Sequence, residues 1–231
     1  MIHPFPIKTL GFGCLILLPL LLHATEGTST LTATDVSGST SFNAKGNWSG
    51  GLAPGPGTNF FTSTFGLRTP PDANNYTFGG DSLTLQAGTA NAYSLIEKSS
   101  AGSGAGRTLT INNLTNAAGG LFRSGGTVGS IITITGNVFS VSGNSTITAD
   151  QCNWIFNSPL VGSGILTNNF ASSQTLTFGG NNSAFTGKLL VNGIVLFSTQ
   201  SAVPGNPAAA MPDQIILGGG GTLGQRRNHA E

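Results

Sequence analysis

The stretch Thr175-Leu-Thr-Phe-Gly-Gly-Asn-Asn-Ser-Ala-Phe-Thr-Gly-Lys-Leu-Leu-Val-Asn-Gly-Ile-Val-Leu-Phe197 decides how this chain folds. Its first four residues alternate hydroxyl and apolar side chains. Two further apolar segments follow, residues 188–191 and 194–197, separated by an Asn-Gly pair. A period of two sends alternate side chains to one face, as in a half-buried strand. The Gly and Asn residues between the segments tolerate the positive φ of tight turns. The pattern recurs outward in both directions. Ser82-Leu-Thr-Leu85, Thr108-Leu-Thr-Ile111, Ile131-Ile-Thr-Ile-Thr135 and Ser145-Thr-Ile-Thr148 precede it, and Gln214-Ile-Ile-Leu217 follows. Short, self-similar strands with Gly/Asn corners predict an all-β solenoid, a right-handed parallel β-helix over residues 81–224, with strands paired ~4.8 Å apart. At an assumed ~20–25 residues per coil, the chain would make about eight to ten coils and ~40–50 Å of rod. An antiparallel β-sandwich is the alternative that the same turn spacing allows.

Composition points the same way. Charged residues are 7% of the chain and glycine is 35 of 231, against roughly 25% and ~7% in an ordinary globular domain. Thr, Ser, Asn and Gly dominate, a mixture that disfavours helices and favours strands and turns. Without Lys8, the only charged residue among the first 24, eight cationic and eight acidic side chains remain and the net charge is zero. No basic run exists to hold nucleic acid, and no acidic run to collect cations.

The first 24 residues read as a cleavable signal peptide. Lys8 supplies the positive charge, Leu10 to Leu22 forms a 13-residue apolar run, and Ala24 offers a small residue for cleavage. That run matches the ~7–15 residues of a signal core and is short of the ~20 that cross a bilayer. The expected partners here are the secretion machinery, with no transmembrane anchor in the mature chain and export across the inner membrane. Cys14 does not fit a lipid-attachment site, because most of the apolar run follows it. Cys152 is then the single mature cysteine. It lies in apolar Cys152-Asn-Trp-Ile-Phe156 and is expected to be a buried small hydrophobe.

Residues 25–80 differ from the body. Gly46-Asn-Trp-Ser-Gly-Gly-Leu-Ala-Pro-Gly-Pro-Gly57 carries turn-forming Pro-Gly pairs, and Trp48, Phe60, Phe61 and Phe65 could cover an open apolar core. The segment is expected to form an N-terminal cap and the first coils. Residues 225–231 turn charged and strand-poor, an atypical tail that suggests truncation.

Within residues 162–197 the repeat becomes specific. Gly162-Ser-Gly164-Ile-Leu166, Leu176-Thr-Phe178-Gly-Gly-Asn-Asn-Ser-Ala-Phe185-Thr-Gly187, Leu190-Val-Asn-Gly193 and Val195-Leu-Phe197 resemble the autotransporter-associated β-strand repeat. Phe178 and Phe185 replace that family's commoner Leu and Tyr, and Ile194 replaces an opening Gly-Thr. The resemblance covers about 35 residues, or 60 with the downstream strand. It implies a bacterial, passenger-type parallel β-helix that is secreted or held at the cell surface. The repeat is a building unit, so the resemblance implies no catalytic residues.

β-Helices also serve as polysaccharide lyases and hydrolases, which need clustered carboxylates and a neighbouring base. The mature acids are Glu26, Asp35, Asp72, Asp81, Glu97, Asp150, Asp213 and Glu231, no two within three residues of each other. They read as solvated loop carboxylates. Asp72 and Glu97 could meet across one coil, and convergence of Asp72, Asp81 and Glu97 in one groove would favour an enzyme. His229 is the only mature histidine, which argues against a Ser-His-Asp triad or a histidine metal site. Gly79-Gly80-Asp81 is a single partial unit of the calcium-binding solenoid repeat and reads as a turn. Gly219-x-Gly221-x-x-Gly224 follows a strand but has no room for a βαβ unit, and reads as a corner. No catalytic, cofactor-binding or metal residue is therefore assigned. The expected role is structural or surface interaction, including adhesion, with Ser, Thr and Asn ladders contacting carbohydrate or another cell surface.

Overall fold

The computed structural model describes residues 26–87, 93–170, 173–205 and 213–225. Residues 1–24, expected to be a signal peptide, His229, Glu231 and nearly all of the 225–231 tail lie outside the described residues. Within them the chain is a parallel β-solenoid of about six turns, built from one six-stranded and two seven-stranded sheets. Among the described residues the one helical element is a single 3-10 turn, Gln200–Ala202. Every pairing between named strands is parallel, including Thr133 beside Thr108 and Phe178 beside Phe197. The antiparallel sandwich is thereby excluded.

Each full coil visits the three sheets in the same order. One coil runs through Asn113–Asn116 in the first sheet, Leu121–Ser124 in the third and Ile131–Thr135 in the second. The expected strands at 82, 108, 131, 145, 175, 188, 194 and 214 are all present, with ends shifted by a residue or two. Several others went unpredicted, among them Asn113–Asn116, Leu121–Ser124 and Asn153–Phe156. Their inward rows hold Asn116 or Ser124, or their outward rows hold Leu121 and Ile155, which blurs the alternation.

The stack is shorter than eight to ten coils. Phe60, Leu83, Leu114, Phe139 and Leu160 sit above one another in the first sheet, at intervals of 21 to 31 residues. Only the interval from Leu83 to Leu114 exceeds the assumed ~20–25 residues, and residues 26–57 contribute only one strand, Gly27–Thr30. Six turns rise about 30 Å at ~4.8 Å each.

The core is a set of inward columns. In the second sheet Ile134, Phe156, Phe178 and Phe197 are successive neighbours. Phe178 and Phe197 stack with centroids 6.0 Å apart, and Phe139 lies 4.7 Å from Phe156. Replacing Leu by Phe in the repeat therefore extends an aromatic column without leaving the core. Such pairs are worth ~0.5–1.5 kcal/mol each beyond the area they bury.

At the start of the stack, Gly27–Thr30 pairs in parallel with Thr58–Phe61, and Leu31 makes a single antiparallel bridge to Trp48. Trp48 meets the edge of Phe60 at 4.8 Å, and its Nε1 donates to the Ser41 carbonyl at 2.7 Å. Phe42 and Phe78 complete this cluster. Phe65 packs against the core. Phe61, by contrast, occupies the outward row of its strand and is half-buried, because alternation gives the inward place to Phe60.

Glycines mark where coils touch. A Cβ at Gly180 would lie 2.4 Å from the Ser158 carbonyl oxygen, and one at Gly164 would lie 2.4 Å from that of Gly143. Gly187 approaches Gly164 closely in turn, so small residues form a column through this corner. The Asn pair of the repeat also has a structural task. Asn182 Oδ1 accepts from the Leu160 amide at 2.8 Å, while its Nδ2 donates to the Ala202 carbonyl at 2.5 Å. One buried side chain thus ties the coil below to the coil above.

Gly164→Val should lower the unfolding free energy by about 2–3 kcal/mol in urea denaturation, as overpacking against backbone does. Gly102→Ala, where a Cβ meets nothing within 4 Å, should change it by less than about 0.5 kcal/mol. Equal losses at both positions would show that corner packing does not limit stability.

Candidate functional site

The strand Gly106–Thr110 places Arg107, its second residue, on the inward row shared with Leu109. The strand Leu95–Glu97 ends with Glu97 on the inward row shared with Leu95. The two belong to adjoining sheets, and the turn between them brings the side chains together inside the coil. Arg107 NH2 lies 2.5 Å from Glu97 Oε1, and neither side chain reaches solvent. Arg107 also donates to the carbonyls of Pro70 and Asp72, at 2.8 and 3.0 Å, and to Thr69 Oγ1 at 2.5 Å. The Asp72 carboxylate is 3.8 Å from Arg107 NH1 and accepts from the Tyr76 hydroxyl at 2.6 Å. Arg107 therefore joins Asp72 and Glu97, the two acids that one coil of separation could bring together.

Burial pushes the Glu97 carboxyl above its ordinary value of 4.5, although the Arg107 charge and the Ser99 amide pull it down. The Asp72 carboxyl moves the other way, held below its ordinary 3.8 chiefly by the Tyr76 hydroxyl. Cys152 borders the same cluster. Its Sγ accepts from Ser130 Oγ at 3.1 Å and lies 3.8 Å from Glu97 Oε2. Burial raises this thiol above its ordinary range, so Cys152 is the buried, protonated small residue expected of it.

This cluster is an interior brace and does not open on a groove. Asp81 is not part of it. Its amide donates to the Thr58 carbonyl at the entry to the first sheet, and its carbonyl accepts from Asn113 Nδ2. Asp72, Asp81 and Glu97 therefore do not converge in one groove, the arrangement that would favour an enzyme. Nor are the acids uniformly solvated, because burial claims two of them. Besides Glu97, Asp35 is buried and accepts from the Ser41 and Arg68 amides at 2.8 and 3.0 Å. It fastens the loop before Trp48 to the first full coil.

The glycine motifs resolve as corners. Gly79 packs against the Pro54 carbonyl, where a Cβ would stand 2.2 Å away. Gly220, with φ of 87°, turns the chain from Ile215–Leu217 into the strand Thr222–Gln225. Strand, not helix, follows the last glycine run. Among the described residues no three His, Cys, Asp or Glu side chains gather as a metal set. None of their helices is long and apolar enough to cross a membrane.

The outer faces carry the rows that the alternation suggests. In the first sheet, Thr30, Phe61, Thr84, Thr115, Ser140 and Val161 are successive neighbours. In the second, Thr108, Thr133, Ile155, Thr177 and Leu196 line up. Hydroxyl side chains thus share these rows with apolar ones. Arg107 is the residue that sequence reasoning missed, and a signal for it existed. Extending the alternation of Leu109 and Ile111 two residues back places Arg107 on the core face, where a charge needs a buried partner.

Comparison with protein-family models, curated proteins and solved structures finds no match to this chain.

The two acids should leave opposite marks on stability against pH. Glu97 has a raised carboxyl in the fold, so its contribution falls as pH rises from 4.5 toward the higher folded value. Asp72 has a lowered one, so its contribution is present above 3.8 and is lost as pH falls below it. In urea titrations at a series of pH values, Glu97→Gln should remove the first limb and Asp72→Asn the second. Arg107→Met alone should cost about 3–5 kcal/mol by leaving a buried carboxylate unpaired, and Arg107→Met with Glu97→Leu should recover most of it. A double variant no better than the single would rule out charge burial as the cause.

Proposed function

We propose that this chain is an exported bacterial surface protein of autotransporter-passenger type, whose rod presents its sheet faces to carbohydrate or to another cell surface. The continuous parallel solenoid carries this reading: three sheets stack without interruption by helices, and their outward rows repeat Thr, Ser and Asn. A passenger must be rigid without relying on a large single core, and a stack in which each coil rests on its neighbours meets that need. The segment before residue 81 serves as the N-terminal cap, with Trp48 and Phe42 covering the first inward residues. The apolar run from Leu10 to Leu22, with cleavage at Ala24, supplies the export step.

A carbohydrate-active enzyme is the competing reading, and its strongest support would be the Asp72–Arg107–Glu97 cluster. Two of those three side chains are sealed in the interior, where they cannot reach a glycosidic bond. The role assigned is therefore non-catalytic.

The test is fractionation of a tagged full-length protein into cytoplasm, periplasm, outer membrane and medium, with mass spectrometry of its N-terminus. Cleavage after Ala24 and recovery outside the cytoplasm are expected. Intact residues 1–24 on protein retained in the cytoplasm would overturn the assignment.

A further inference from the structure

The chain holds nine Lys and Arg residues in 231, yet three of them line one groove on the outer face of the third sheet. The groove encloses about 310 Å³ and is bordered by Arg68, Ile96, Lys98, Arg123, Asp150 and Gln151. Its floor follows from the register. Arg68 neighbours Ile96, and Ile96 neighbours Arg123, so the two guanidinium stems flank an outward isoleucine across three adjacent strands. Two strand spacings separate the arginine backbones by about 10 Å. Lys98 stands two residues beyond Ile96 on the same side, with Nζ donating to the Gly125 carbonyl at 2.9 Å. Arg123 pairs with Asp150 at 2.7 Å, in a half-exposed ion pair. Its guanidinium lies 4.5 Å from the centre of the Tyr93 ring. Arg68 pairs with no carboxylate among the described residues.

The groove therefore gathers three cations against one acid, in a protein otherwise nearly free of charge. Such clustering costs electrostatic energy unless an anion relieves it. The floor is apolar at Ile96, and the Tyr93 ring lies against the Arg123 guanidinium. An anionic polymer with an apolar face satisfies all of these features together. Sugar rings offer C–H faces to Ile96, while carboxylate or sulfate groups pair with guanidinium planes.

We propose that this groove is a binding site for an acidic polysaccharide, one bearing uronate or sulfate groups. The proposal deepens the surface-interaction reading above by naming the ligand class and the face that takes it. It also differs from the expectation that neutral hydroxyl ladders make the contact.

The test is isothermal titration of the purified protein with polygalacturonate, dextran sulfate, neutral dextran and single-stranded DNA. Binding to one or both acidic glycans is expected, weakening as salt rises, with neutral dextran inert. Preference between the first two distinguishes uronate from sulfate. Arg68→Ala and Arg123→Ala should each weaken binding about three- to tenfold, whereas Lys45→Ala and Lys188→Ala, outside the groove, should leave it unchanged. Asp150→Asn should tighten binding about two- to threefold by removing the competing acid, a gain that a merely structural pair would not produce. Equal losses at Lys45 or Lys188, equal binding of DNA, or no binding of either acidic glycan would overturn the proposal. The titration uses purified protein whatever its cellular address, so failure here leaves the export reading standing, and failure of export leaves this result interpretable.

Discussion

Everything in this molecule depends on backbones stacked in parallel at the spacing of a hydrogen-bonded strand pair. At ~4.8 Å between coils, a residue meets its counterpart one coil above and below, so the interior is a set of columns. The column Ile134–Phe156–Phe178–Phe197 exists because each strand presents the same face at the same register. The same spacing leaves no room for a Cβ at the tightest corners, which is why Gly143, Gly164 and Gly187 follow one another there. Asn182 belongs to this logic as well, since a short amide can reach a donor on one coil and an acceptor on another.

A stack of this kind tolerates a buried charge only where several coils cooperate to satisfy it. Arg107 draws on Thr69, Pro70 and Asp72 from the coil before it, and on Glu97 from the strand just ahead in the chain. Taking two charges out of water is costly, and one lost partner leaves the other uncompensated. The raised carboxyl of Glu97 expresses that cost directly. The brace therefore ties the early coils in one register, and burial removes its Arg107 and Glu97 side chains from contact with anything outside the rod.

The outer faces are what the rod presents to solvent. Their rows mix hydroxyl side chains with Ile, Leu and Val, and formal charge is almost absent from them. That scarcity gives weight to the one place among the described residues where cations gather, between Arg68, Lys98 and Arg123 around Ile96. Arg68 and Arg123 come from strands 55 residues apart in the chain, and only the parallel register makes them near neighbours.

The sequence by itself determined the strands of strongest alternation, the absence of a helical body among the described residues and the buried state of Cys152. These are legible because period-two patterning and Gly/Asn corners are local properties of the chain. Parallel pairing was decided against the antiparallel sandwich only by the structure. The coil count was not legible, since loops such as 98–105 lengthen a coil without disturbing the strand pattern. Nor was the pairing of Arg107 with Glu97, or the separation of Asp81 from Asp72, because both follow from which corner each residue occupies. The groove of Arg68, Lys98 and Arg123 was equally hidden. Local alternation sets which face a side chain takes, but only the register between coils decides what lies beside it.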